Sequence, residues 1–213
     1  MKPYYEHAGI TIYHGDCRDL LPTLGDDCVV VSDPPYGVSH SRGRSSDRGK
    51  GKALGASLIH GDCDPFDPAP LLRFAEVIIW GANYYAARLP DQGRWLIWDK
   101  QGHGGSGDFS EAEIAWHSRG RAVKFFRHMW LGVQRASEVG APRLHPTQKP
   151  ERLFTWCISQ LHGATGIIVD PYMGSGTLLV AAKQCGRRAI GIEIEERYCE
   201  IAAKRLSQEV MFA

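Results

Sequence analysis

The sequence predicts an α/β protein: a mostly parallel sheet of seven to eight strands with helices on both faces, in a single domain. Three observations carry this. Apolar, β-branched runs recur along the chain as continuous blocks rather than as alternating patterns, which is how strands buried on both faces read. Stretches with apolar residues three and four apart lie between them. With 213 residues and 43% hydrophobic content, the chain can bury one substantial core but hardly two.

The candidate strands are 10–13 (ITIY), 28–32 (CVVVS), 76–80 (EVIIW), 94–98 (RWLIW), 112–117, 124–130 (KFFRHMW), 166–170 (GIIVD) and 188–193 (RAIGIE). Helices are expected over 68–74, 151–162, 176–185 and 195–208. The second carries Leu153, Trp156, Cys157 and Leu161 on one face, with Pro150 just ahead of its first turn. The last presents Tyr198, Ile201, Ala202, Arg205 and Leu206 in the same way. Segments 38–65 and 101–108 read as irregular, being rich in glycine and serine.

No apolar run approaches a membrane span, and MKPYYEHAG lacks the apolar core of a signal peptide, so a soluble, cytoplasmic protein is expected. The six cysteines, at 17, 28, 63, 157, 185 and 199, form no C-x-x-C pair and read as free thiols. HGDC occurs at 14–17 and again at 60–63. Gly-Asp turns explain this echo better than a zinc site, since one copy lies in an irregular stretch, and no metal is expected. The formal charge is +1, but its distribution is uneven. Arg42, Arg44, Arg48, Lys50 and Lys52 stand against Asp47 alone, and Arg119, Arg121, Lys124 and Arg127 form a second group. Short charge runs are usually solvated surface. The Gly and Ser spacing of the first also suits a mobile segment that orders on phosphates.

Two stretches carry chemistry. In VVVSDPPYG (29–37) three valines favour a strand, and Pro34-Pro35 forbids its continuation, so it ends at Asp33 and leaves a carboxylate and Tyr36 on a stiff backbone. Alone, this reads first as a strand followed by a tight Pro-rich turn. IIVDPYMGSGTLLVAAKQCGRRAIGIEI (167–194) reads as strand, Gly turn, helix and strand, with Asp170 and Glu193 ending the two strands. That is a Rossmann-like nucleoside-binding βαβ unit, in which the second acid takes ribose hydroxyls. Phosphate-binding variants fit poorly. Leu179 stands where a dinucleotide fingerprint needs its third glycine, and no lysine precedes Thr177 as a Walker loop requires. A carboxylate before the turn repels phosphate and suits a cation. S-adenosylmethionine offers a sulfonium, an ammonium and a ribose. The plain alternative is a βα turn with a capping Ser175 or Thr177.

With both stretches in one chain, and HPTQKPERLFTWCIS at 145–159 between them, the sequence resembles the β group of DNA amino-methyltransferases. The resemblance runs from YHGDC at 13–17 to GIEI at 191–194. It implies a single S-adenosylmethionine-dependent methyltransferase domain over 1–213, acting on DNA, of the kind found in restriction-modification systems. Asp33, Pro34, Pro35 and Tyr36 would form the target-base site. Asp170, Gly174, Gly176 and Thr177 would surround the methionine part of the cofactor, Glu193 its ribose and Asp16 the adenine amine. Lys149 would help to hold its carboxylate, with Cys17, Asp33, Pro171, Tyr172, Ser175 and Ile194 alongside. Tyr172 stands where the family usually has phenylalanine.

The target would be the N6 amine of a flipped-out adenine; family members acting on cytosine N4 more often carry serine in place of Asp33. An RNA substrate, or a nucleic-acid-binding module with a decayed cofactor site, are further alternatives. Related enzymes often carry a sizeable recognition region where this chain has only residues 131–144, so a short, vestigial recognition region is expected there. The 38–65 loop, with Arg42, Arg44, Arg48, Lys50 and Lys52, would make most DNA contacts. An enzyme with so little recognition region can act as a homodimer.

Overall fold

The computed structural model describes residues 1–37, 61–100, 110–131, 134–142, 144–163 and 165–208, and in it the apolar runs become neighbours in one sheet. The strands are β1 (Tyr5–His7), β2 (Ile10–His14), β3 (Val29–Ser32), β4 (Glu76–Trp80), β5 (Arg94–Asp99), β6 (Ala112–His117), β7 (Lys124–Arg127), β8 (Trp130–Leu131), β9 (Gln134–Arg135), β10 (Ile168–Asp170) and β11 (Ala189–Glu193). Nine of them form a sheet of order β1-β2-β11-β10-β3-β4-β6-β5-β7, and β8 and β9 form a separate ribbon. The block β2-β11-β10-β3-β4 is parallel throughout, as is β5 with β7. β1 and β6 run antiparallel to their neighbours.

β3 shows why the valine run is continuous. Flanked by β10 and β4, it sends Val29 and Val31 into the core on one face and Val30 into the core on the other, all fully buried. Each such side chain contributes about 1.5–3 kcal/mol by leaving water. The long helices α2 (Glu151–Ser159), α3 (Thr177–Gln184) and α4 (Glu196–Ser207) all pack on the first face. The second is covered by α1 (Cys17–Leu20) and by short 3-10 turns, with Phe66, Leu71, Phe74 and Tyr85 as its packing residues. Helices thus cover both faces, unequally.

Several elements differ from expectation for local reasons. The helix expected over 68–74 is a single 3-10 turn at Ala69–Leu71, and the chain then turns into β4, with the Ala75 N–H donated to the Asp26 and Cys28 carbonyls at 2.8 and 3.1 Å instead of to a helical acceptor. The strand expected over 124–130 stops at Arg127, and Trp130 then pairs with Arg135 instead. α2 ends at Ser159 rather than 162, since the chain turns there to bring the His162 N–H onto Glu76. β1 adds a ninth strand to the eight expected. It has no apolar period, and joins β2 through Ala8 and Gly9, both at positive φ, as a two-residue hairpin turn requires.

A polar network is buried where β4 and β6 meet. Glu76 and His117 are 1% and 0% exposed, with His117 Nε2 2.6 Å from Glu76 Oε1. His162 adds a backbone N–H at 3.0 Å and Nδ1 at 3.1 Å. The ligand atoms of this trio lie within 4.8 Å of one another, a spacing that a metal could use. Arg94 Nε, however, donates to His117 Nδ1 at 3.0 Å, which leaves the ring proton on Nε2, facing Glu76. The trio is therefore a closed hydrogen-bond network.

Burial, reinforced by Arg94, pulls the His117 pKa down to about 4. Burial alone would raise that of Glu76, but hydrogen bonds from His162 and His117 hold it below the usual value. Both folded values lie below the unfolded ones, so stability is complete near neutral pH and is lost as pH falls, from about 6.5 for His117. The melting temperature is expected to fall from pH 7 to pH 4.5, and His117→Gln to melt lower at pH 7 with a shallower dependence between pH 6.5 and 5. An unchanged slope in thermal melts of that variant would contradict this.

Candidate active site

The site lies at the carboxyl ends of β3 and β10. These strands are neighbours, yet the chain leaves β3 toward the second face and leaves β10 through α3 on the first. Adjacent connections that depart to opposite faces open a crevice between them. A cleft of about 650 Å³ occupies this position.

On the β3 side, the last strand residue, Ser32, is buried and donates its hydroxyl to Asp170 Oδ1 at 2.6 Å, linking the two halves. Asp33 follows directly. Its carboxylate accepts a hydrogen bond from the Tyr36 hydroxyl and pairs with Lys149 Nζ at 2.7 Å. Beyond the turn, the Gly37 N–H donates to the buried Asp62 at 3.1 Å, which ties its far end down. The Tyr36 ring stacks on Tyr84 at 5.3 Å between centroids. It also presses on Gly81, where φ is +72° and a Cβ would fall 2.0 Å from the ring, so only glycine fits.

Lys149 is 6% exposed and also lies 2.7 Å from Glu113 Oε2 and 3.1 Å from the Tyr36 hydroxyl. Glu113 in turn holds Lys100 at 3.0 Å. Burial alone would lower the Lys149 pKa, but Asp33 and Glu113 push it up. The two acids respond differently. Burial keeps Asp33 above the usual carboxylate range despite Lys149, whereas Glu113, with a lysine on each oxygen, is held at about 2.

On the β10 side, the Asp170 pKa is raised to about 7 by burial, against the hydrogen bonds from Ser32 and the Tyr172 N–H. Glu193 receives the Gly174 N–H at 2.9 Å and the Glu195 N–H at 2.8 Å, and burial raises its pKa as well. Gly174 adopts φ +51°, which lets the turn point its amide at Glu193. Asp16 caps α1 by accepting the Arg18 N–H at 2.9 Å and is gripped by the Arg18 guanidinium. Burial raises the pKa of both the Cys17 thiol and the Tyr172 hydroxyl.

The cleft gathers most of the residues singled out in the sequence. Asp16, Cys17, Asp33, Pro34, Pro35, Tyr36, Lys149, Pro171, Tyr172, Gly174, Glu193 and Ile194 all line it. Asp170, Ser175 and Thr177 line a smaller recess that shares Asp33, Lys149 and Gly174 with the cleft. Two placements differ from expectation. Lys149, expected on a cofactor carboxylate, sits between Asp33 and Glu113. Gly176 lines neither space: a Cβ there would fall 2.7 Å from Ala202 Cβ, so this glycine lets α4 approach α3. The hydroxyls of Ser175 and Thr177 lie 3.4 and 3.2 Å from Arg205, which also pairs with Glu151 at 2.8 Å.

Sequence reasoning missed Glu113, Lys100 and His145. Only W-D-K at the end of β5 hinted at a polar group there. His145, 4.5 Å from the Tyr198 ring, has its pKa pulled down to about 4, chiefly by burial, and is neutral. Arg42, Arg44, Arg48, Lys50 and Lys52 lie outside the described residues.

The donor set fits a cationic nucleoside derivative such as S-adenosylmethionine. Asp16, Asp170 and Glu193 supply carboxylates around the β10 turn, Tyr172 and the 37%-exposed Ile194 supply apolar surface, and no phosphate-binding lysine is present in that turn.

The DNA methylase model of the N6/N4 methyltransferase family matches residues 93–204, more than half of the chain. The chain is 27% identical to the type II methyltransferase M2.LlaDCHI of Lactococcus lactis subsp. cremoris, over 97% of this chain and 93% of that protein. It is 51% identical to the type II methyltransferase M2.DpnII of Streptococcus pneumoniae over a shorter stretch, covering 40% of this chain and 32% of that protein. Among solved structures, the M1.HpyAVI–SAM complex superposes with a TM-score of 0.57 at 22% identity, covering 93% of this chain and all of that one. The cytosine-N4-specific PvuII DNA methyltransferase superposes with a TM-score of 0.66 at 15% identity, covering all of this chain and 91% of that one. These two likenesses concern the fold. On the family match, with the two carboxylate-ended strands meeting at one cleft, the chain belongs to the N6/N4 family of DNA methylases.

Proposed function

We propose that this DNA methyltransferase, using S-adenosyl-L-methionine, methylates the N6 amine of an adenine flipped out of the duplex. The observation that carries the reading is Asp33: a carboxylate on a proline-stiffened turn, facing the cleft beside Tyr36 and one strand away from Asp170. When bound, the cofactor supplies an electrophilic methyl group on a sulfonium.

The chain's own residues do the rest. An adenine amine is a weak nucleophile, since its lone pair is delocalised into the ring. Asp33 and the Pro34 carbonyl, both acceptors, bind its two N–H groups and localise that pair on nitrogen. Tyr36, backed by Tyr84, gives the extruded base an aromatic surface to stack on. After alkylation the nitrogen sheds one proton, and Asp33, whose pKa burial raises, is the base placed to take it. Asp16, Asp170 and Glu193, with Cys17, Pro171, Tyr172, Gly174, Ser175, Thr177 and Ile194 near them, form the cofactor half.

The whole chain, 1–213, acts as one methyltransferase domain, with DNA contacts from 38–65 and from the short 131–144 region. In the latter, Arg135 stacks over Trp130 at 4.8 Å. A second reading, transfer to cytosine N4, draws support from the fold shared with the PvuII enzyme. Incubation with methyl-labelled cofactor and unmethylated plasmid DNA, followed by digestion to nucleosides, separates the two. Label in N6-methyldeoxyadenosine is expected; label in N4-methyldeoxycytidine would replace the first reading by the second.

A further inference from the structure

The cluster around Asp33 contains more charge than the proposed chemistry uses. Four segments meet there: the turn after β3 (Asp33, Tyr36), the end of β5 (Lys100), β6 (Glu113) and the approach to α2 (Lys149). Three oxygens surround the Lys149 nitrogen: Asp33 Oδ2 and Glu113 Oε2, each paired with it by charge at 2.7 Å, and the Tyr36 hydroxyl, which accepts a hydrogen bond from it at 3.1 Å. An ammonium drawn to a carboxylate on each side is held between them, whereas one paired with Asp33 alone could swing about that contact.

Glu113 is itself fixed by Lys100 on its other oxygen, so the anchor does not depend on Lys149. Two acids and two lysines balance, which makes burial of the set tolerable. A simple Lys149–Asp33 pair would also balance, so charge neutrality alone does not require Glu113.

We propose that Glu113 is a positioning residue for methyl transfer: anchored by Lys100, it holds the Lys149 ammonium in the one place from which that ammonium fixes the Asp33 carboxylate and the Tyr36 hydroxyl toward the target amine. This rests on the reading of Asp33 as the acceptor of that amine. Glu113 touches neither substrate nor cofactor in this scheme and acts through Lys149.

The test is a double-mutant cycle on transfer to DNA, with kcat, DNA KM and cofactor Kd measured for Glu113→Gln, Lys149→Gln and the pair. Glu113→Gln is expected to lower kcat about 10- to 100-fold, as a misplaced reacting group does, with DNA KM and cofactor Kd within about threefold of the parent. The double variant is expected to be no slower than Lys149→Gln alone, because Glu113 has nothing left to position. The inference is overturned if Glu113→Gln keeps kcat within about twofold, if its loss multiplies with that of Lys149→Gln, or if cofactor Kd moves instead of kcat. Should Glu113→Gln fail to fold, Glu113→Asp keeps the charge, shortens the reach by one methylene and carries the same expectations. Asp33→Ala, assayed beside these variants, separates the two levels: an active Asp33→Ala removes the reading of Asp33, whereas an inactive one leaves the cycle to decide on Glu113 alone.

Discussion

Replacing Asp33 with alanine is expected to lower kcat about 10³-fold while cofactor affinity stays within a few fold. The reason lies in what the carboxylate contacts. It touches Tyr36 and Lys149 at the base end of the cleft, while the acids of the cofactor half, Asp16 and Glu193, have partners of their own. On the proposed reading, removal deletes the acceptor of the target amine and leaves the other half intact. It also releases Lys149, which loses one of its oxygen partners. Asp33→Asn is the sharper variant, since it keeps the shape and exchanges one acceptor oxygen for a donor. It is expected to be nearly as slow as the alanine. Single-turnover kinetics with saturating cofactor, paired with calorimetry, measures both quantities, and a loss of cofactor binding with intact turnover would reverse the assignment.

Glu193→Ala is expected to do the opposite, weakening cofactor binding by about 10- to 100-fold with a smaller change in saturating rate. Charge-assisted hydrogen bonds of about 1.5–3 kcal/mol set that scale. In the structure the carboxylate has two structural partners, the N–H groups of Gly174 and Glu195, and these would lose their acceptor together. Glu193→Gln keeps an acceptor for at least one amide, so it should fall between the parent and the alanine. Calorimetry across the three proteins tests the order. A saturating rate that collapses with unchanged affinity would remove the ribose role from Glu193.

The two chemical halves were legible because each is local. VVVSDPPYG states its own strand end through two prolines, and IIVDPYMGSGT carries its acid and its glycines within eleven residues. The β3, β4 and β5 strands were legible as apolar blocks. What stayed hidden depends on pairing between distant segments. Glu113 sits in AEIAWH, where an alternating strand pattern makes it look like an ordinary solvent-facing acid. It meets Lys149 only because β6 inserts antiparallel between β4 and β5. Arg94, His117 and Glu76 likewise form a buried network that no spacing announces. β1 escaped because its residues, Tyr5 to His7, are largely exposed and give no period.

Gly176 is the instructive case in the other direction. Its place in a G-S-G turn invites a ligand-binding role, and the structure adds two further reasons for glycine: φ is +76°, and a Cβ there would fall 2.7 Å from the Ala202 Cβ of α4. Glycine in such a turn answers either to a ligand or to a helix, and only the three-dimensional neighbours decide which. Gly174, by contrast, lines the cleft and hands its amide to Glu193.

Whether Asp33 and the Pro34 carbonyl hold an extruded adenine amine is decided by a crystal structure with cofactor product and DNA bound. The adenine N6 is expected within about 3.2 Å of an Asp33 carboxylate oxygen and of the Pro34 carbonyl, with the base stacked on Tyr36. A base whose amine is held by other groups, while Asp33 faces only Lys149 and Tyr36 as it does here, would contradict it.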